Sequence, residues 1–134
     1  PYQVEAIKAI SDKYNIPVLE DSAEALGSSY KGQKCGTFGD IGVLSFNGNK
    51  IITTSGGGAI VTKSKELKDK AVFFATQSRD DAPHYQHSEI GYNYRMSNIV
   101  PELVEAKWRC SMLMWLCAGK CMNFMWICSR ILRR

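Results

Sequence analysis

Asp21, Ser45, Lys50 and the run Gly56-Gly57-Gly58 set a carboxylate, a hydroxyl, an amine and a stretch of bare backbone in that order along the chain. A lysine amine can condense with a carbonyl and later shuttle a proton, provided burial or a neighbouring charge makes it available. A carboxylate against a heterocyclic nitrogen keeps that nitrogen protonated, which lets the ring accept the electrons of a carbanion. A hydroxyl can bind a phosphate oxygen, and glycines let backbone pass close to a ligand without a side-chain clash. Each residue also has a plainer reading. An Asp after a strand is commonly a turn or cap, a Lys in a polar loop is commonly solvated, and three consecutive glycines commonly make a turn. The glycine run lacks the spacing of a P-loop or dinucleotide fingerprint.

The elements that must position these groups are legible in the pattern. Val4, Ile7, Ile10 and Tyr14 recur at helical spacing, which predicts an amphipathic helix over residues 2–14. Asn15 and Pro17 end it, and Ile16-Pro17-Val18-Leu19 reads as a short buried strand running into Glu20-Asp21. Four glycines (Gly27, Gly32, Gly36, Gly39) make residues 27–40 loop and turn. A second strand is expected over Ile41–Phe46, a polar loop carrying Lys50 over Asn47–Ser55, and a third strand over Ala59–Thr62. Residues 65–77 read as helix and Gln77–Glu89 as a polar segment. Helix and strand alternate, so the class is α/β. Asp21 and Ser22 then sit at the mouth of a strand, at the carboxyl edge where open sheets bind ligands. Lys50, on a loop between two apolar strands, has its stem placed for burial and its amine for a cavity. These are the parts, in order, that a pyridoxal phosphate site requires.

Longer blocks carry a resemblance. Glu20-Asp21-Ser22-Ala23-Glu24-Ala25-Leu26-Gly27, Gly36-Thr37-Phe38-Gly39-Asp40, Ser45-Phe46-Asn47-Gly48-Asn49-Lys50, Gly56-Gly57-Gly58-Ala59 and Gly91-Tyr92-Asn93-Tyr94-Arg95-Met96-Ser97 resemble the consecutive motifs of the DegT/DnrJ/EryC1/StrS aminotransferases. The resemblance runs from residue 1 to about residue 100. It implies part of the large cofactor-binding domain of a fold-type I, aspartate-aminotransferase-like enzyme. That enzyme would use pyridoxal 5'-phosphate to aminate a keto group of a nucleotide-linked sugar, most often with glutamate as amino donor. By position, Lys50 would be the Schiff-base lysine, Asp21 the partner of the pyridinium nitrogen, and Ser45 a phosphate ligand. Glu24 falls where many members carry Gln beside the cofactor's ring hydroxyl. An ionised carboxylate there accepts a hydrogen bond but cannot give one. Asn93 resembles the residue that reaches the phosphate of the neighbouring subunit's cofactor, which implies a homodimer. Asn-Gly-Asn before the lysine, in place of His-Pro-Thr, resembles the branch acting on UDP-linked 4-keto-6-deoxy-N-acetylhexosamines. Dehydratases of the same family carry His in place of the lysine, so Lys50 speaks against that alternative. The retained Asp21, Ser45 and Lys50 speak against a non-catalytic interaction domain that merely kept the fold.

Composition narrows the classes. The chain of 134 residues is 45% hydrophobic and 22% charged, as ordinary globular domains are. It begins at Pro1 with no signal-peptide pattern, so an interior piece of a cytoplasmic enzyme is expected. The net charge of +4 is not spread over the chain: residues 1–106 carry 11 Lys and Arg against 13 Asp and Glu, and residues 107–134 carry six basic residues and no acid. With no basic stripe across the body, nucleic acid is not expected as a partner.

The same tail holds Cys110, Cys117, Cys121 and Cys128 and all three tryptophans. The family resemblance stops at Val100. Codons permitted for Pro101–Met112, read from their third base, spell Gly-Ile-Gly-Arg-Gly-Gln-Met-Glu-Val-Leu-Asp, close to the continuation seen in the family. For Met122–Trp126 the single codons of Met and Trp force Glu, then Phe or Leu, then Tyr or His, then Val. Residues 101–134 are therefore expected to be an out-of-frame tail. A membrane span over Ser111–Ser129 is the rival, weakened by Lys120 near its middle. A zinc site is the other rival, weakened by the lack of a paired C-x-x-C and by the distance to His84 and His87.

Overall fold

The computed structural model describes residues 2–116, with side chains described to Ser111. The chain divides after Met96 into two units.

The first unit opens with α1 (Val4–Tyr14). Asn15 ends it in the left-handed region (φ 51°), its N–H returning to the Ser11 and Asp12 carbonyls. The Ser11 hydroxyl then donates to the Ile16 carbonyl at 2.7 Å and turns the chain toward the sheet. The expected apolar face of α1 is only partly covered: Val4 and Ser11 are buried, whereas Ile7, Ile10 and Tyr14 are exposed. Periodicity decides which residues share a face, not what lies against it.

The first strand, β1 (Leu19–Asp21), starts later than the pattern predicts. Pro17 has no N–H to give a ladder, and Val18 is engaged by Asp40, whose carboxylate accepts from the Val18 N–H at 2.7 Å. The strand is also not the buried apolar one expected. Leu19 and Ile16 are exposed, and the buried residue is Glu20. The glycine-rich stretch holds an unforeseen hairpin of β2 (Ser29–Tyr30) and β3 (Gln33–Lys34). Its two-residue turn, Lys31-Gly32, has positive φ at both positions (48° and 83°), as a type I′ turn requires.

The main sheet is completed by β4 (Ile41–Ser45) and β5 (Gly58–Val61) in the order β1-β4-β5. β1 and β4 run parallel, with Leu19 opposite Ile41 and Asp21 opposite Val43, while β4 and β5 are antiparallel, with Ser45 opposite Gly58. Gly42 is obligatory here: a Cβ on it would lie 2.0 Å from the Gly36 carbonyl oxygen. That close approach lets the glycine loop lie flat on the centre of the sheet.

α2 (Lys65–Ala75) is capped by Ser64, whose hydroxyl accepts from the Leu67 N–H at 3.2 Å. It ends short of Gln77, because Gln77 and Ser78 both take positive φ (69° and 50°) and turn the chain back. Thr76 then bridges to Asn93.

The second unit contains α3 (Ile99–Leu116), on which Ile99, Leu103 and Trp108 are exposed. The Trp115 side chain, Trp126, Cys117, Cys121 and Cys128 lie outside the described residues, as does most of the Ser111–Ser129 segment. Among the described residues no helix is long and apolar enough to cross a membrane, and no group of three metal-binding side chains occurs.

Candidate active site

Parallel pairing puts the carboxyl ends of β1 and β4 on one edge of the sheet. Asp21 is the last residue of β1 and Ser45 the last of β4. Asp21 faces the same side as its partner Val43, and Ser45, two residues further along, faces that side again. The Asp21 Oδ1 accepts from the Ala23 N–H at 3.1 Å, which shapes the turn after β1 and leaves the carboxylate exposed at the edge. The Ser45 hydroxyl accepts from the Asn47 N–H at 3.3 Å, opening the next loop.

That loop, residues 46–57, is closed by its own backbone. The Phe46 N–H donates to the Gly57 carbonyl at 2.9 Å, and the Thr54 N–H to the Phe46 carbonyl at 3.0 Å. Phe46 and Ile52, both buried, anchor it from inside. Lys50 lies between these anchors, with its N–H donating to the Asn47 carbonyl at 3.1 Å. Its side chain is 13% exposed, and its ammonium donates to the Glu24 carboxylate on the turn that follows β1. Asp21, Glu24, Ser45 and Lys50 are thus gathered at one edge by two loops that follow neighbouring parallel strands.

Asn93 is not part of this group. It lies on the segment tied to the end of α2, where the Tyr92 N–H donates to the Phe74 carbonyl (3.1 Å) and the Tyr94 N–H to the Ala75 carbonyl (3.0 Å). Asn93 itself is exposed, and among the described residues no hydrogen bond joins it to the other four.

Sequence reasoning gave Glu20 no role, yet it organises the opposite face of the strand that carries Asp21. Its carboxylate accepts from the N–H groups of Gly36 (2.6 Å), Phe38 (2.9 Å) and Gly39 (3.4 Å) and from the Ser22 hydroxyl (3.1 Å). Burial pushes this carboxyl up, but the backbone donors, with the Tyr2 hydroxyl, outweigh it and hold the group below its ordinary value. The Tyr2 phenol is pushed up to about 12, first by partial burial and then by the hydrogen bond and charge of Glu20. Glu20 therefore clamps the 36–39 loop to β1 directly beside Asp21. The signal was present: strand alternation puts Glu20 on the opposite face from Asp21, under the glycine loop.

The chain matches the DegT/DnrJ/EryC1/StrS aminotransferase family over residues 1–108, a stretch that continues past Val100. It belongs to that family. A Bacillus subtilis protein named as a pyridoxal phosphate-dependent aminotransferase, EpsN, is 56% identical over 98 residues, covering 73% of this chain and 25% of its own length. The GDP-perosamine synthase of Escherichia coli O157:H7 is 50% identical over 99 residues, covering 74% of this chain and 27% of its own. Among solved structures, Helicobacter pylori PseC, described as an aminotransferase in pseudoaminic acid biosynthesis, superposes with a TM-score of 0.77 at 32% identity. That superposition covers 84% of this chain and 31% of PseC. The fold is accordingly part of the α/β large domain of a fold-type I aminotransferase. The chain spans about a quarter of the length of the curated relatives it matches.

The donor set fits a pyridoxal phosphate ligand. An exposed carboxylate, a strand-end hydroxyl and a covered lysine with its amine at a loop mouth share one edge. Gly48 and Gly56, on the two limbs of the Lys50 loop, have open space where a Cβ would stand.

Proposed function

We propose that this chain is the cofactor-binding part of an aminotransferase that uses pyridoxal 5'-phosphate to aminate a keto group on a nucleotide-linked sugar, with glutamate as the amino donor. What carries the reading is the convergence of Asp21, Ser45 and Lys50 on one sheet edge in a member of this family. The bound cofactor supplies an electron sink for the carbanion. Lys50 would hold the cofactor through its amine and supply the base for the proton at the reacting carbon. Asp21 would keep the ring nitrogen protonated, Ser45 would bind phosphate, and Glu24 would meet the ring hydroxyl. Asn93, outward on its own segment, would reach the phosphate of the second subunit's cofactor in a homodimer.

The Asn47–Lys50 motif favours a UDP-linked 4-keto-6-deoxy-N-acetylhexosamine, and the enzyme works in the cytoplasm. A GDP-linked sugar, as in the name of the E. coli relative, is the competing substrate. Residues 1–100 are the working part and residues 101–134 an out-of-frame tail that leaves this chain inactive alone. The coding DNA from Asn98 onward decides the last point.

The central test uses a full-length enzyme carrying residues 1–100 of this chain. Borohydride reduction after loading with pyridoxal phosphate should fix the label on Lys50. Lys50→Ala should lose both the label and transamination. Label on another lysine, or turnover by the variant, would overturn the assignment.

A further inference from the structure

The Lys50–Glu24 pair is lopsided. The lysine side chain is 13% exposed and the glutamate 79%. A covered lysine amine is satisfied where a carboxylate can meet it. Glu24 is the carboxylate in contact, while Asp21, on the same edge, is turned to the Ala23 N–H. Condensation with an aldehyde needs the lone pair of a neutral amine, and an ammonium held in an ion pair has none. Glu24 does not relieve this as a base. A carboxylate is a far weaker base than an amine, so its contact does not free the lone pair.

We propose that Glu24 is a positioning residue that gates loading of the site: it occupies the Lys50 amine until the pair opens, so capture of pyridoxal phosphate is limited by that opening. The inference rests on the reading of Lys50 as the cofactor lysine. The step balances without a redox partner. The ammonium loses its proton to buffer, nitrogen bonds to the aldehyde carbon, and the carbonyl oxygen leaves as water. Glu24 is free to swing away, since it is exposed and carried on the turn after β1.

The test uses the full-length enzyme carrying residues 1–100 of this chain. Wild type, Glu24→Gln and Glu24→Asp are incubated with pyridoxal phosphate, quenched with borohydride at intervals, and digested. Label is then read lysine by lysine, with Lys13, Lys34 and Lys63 as internal standards. Labelling of Lys50 should be about 2- to 5-fold faster in Glu24→Gln, the range open to a pair with one exposed partner. The standards should be unchanged, and Glu24→Asp should fall between. Salt at about 1 M should speed Lys50 labelling in wild type and not in Glu24→Gln. Equal rates at Lys50 in wild type and Glu24→Gln, without a salt effect, would overturn the gate. Absence of label at Lys50 in every variant would instead overturn the reading of Lys50 on which the gate depends.

Discussion

Two stretches of the first unit treat their polar groups in opposite ways. Between Val18 and Gly58, the buried carboxylate of Glu20 meets three backbone donors and the Ser22 hydroxyl, and the Lys50 ammonium meets Glu24. Between Thr76 and Arg95, the Ser78 hydroxyl and the Asp80 Oδ2 are buried with no hydrogen-bond partner. Gln77 and Ser78 hold positive φ there, and Tyr85, Ile90, Tyr92 and Tyr94 stand exposed. The first stretch is closed on itself. The second carries orphaned atoms beside a run of exposed tyrosines, a pattern expected where another surface completes a segment. This supports the proposal that Asn93 serves a neighbouring subunit.

The comparison can be broken most directly at Asp21. Asp21→Asn keeps the size and the Ala23 hydrogen bond of an exposed side chain while removing its charge, so the fold and cofactor binding should survive. Transamination should fall by roughly 10²–10⁴, read as kcat in the full-length enzyme. Near-normal turnover would show that the charge is idle.

Next in size is Glu20→Gln. The amide cannot accept at both oxygens, and its NH₂ would confront backbone N–H groups, so a stability loss of about 2–4 kcal/mol is expected from denaturant unfolding. The pH dependence has a definite sign. The folded Glu20 carboxyl lies below its ordinary 4.5, so its contribution is complete above that value and is lost as pH falls through the lower folded value. Glu20→Gln should flatten this acid limb. An unchanged limb would mean that other carboxylates drive acid unfolding.

The smallest effect is expected in the second stretch. Ser78 is fully buried, yet its hydroxyl has no partner, so Ser78→Ala removes no bond and spares a desolvation cost. Stability should stay within about 0.5 kcal/mol of wild type or rise. A loss approaching that of Glu20→Gln would erase the contrast between the two stretches.

The sequence by itself determined which residues could do chemistry and on what local structure each sits. Asp21 at a strand end, Ser45 at another and Lys50 on the loop beyond follow from apolar runs and their polar interruptions, which are properties of near neighbours. The helices around residues 4–14 and 65–75 are likewise local in origin. Tertiary structure decided the rest. It left the α1 stripe and Leu19 exposed, because a period does not say what covers a face. It turned Glu20 inward beneath a loop that starts 16 residues later in the chain. It brought Lys50 to Glu24 across 26 residues, an encounter that exists because β1 and β4 lie side by side and parallel, so that the loops leaving them emerge at the same edge.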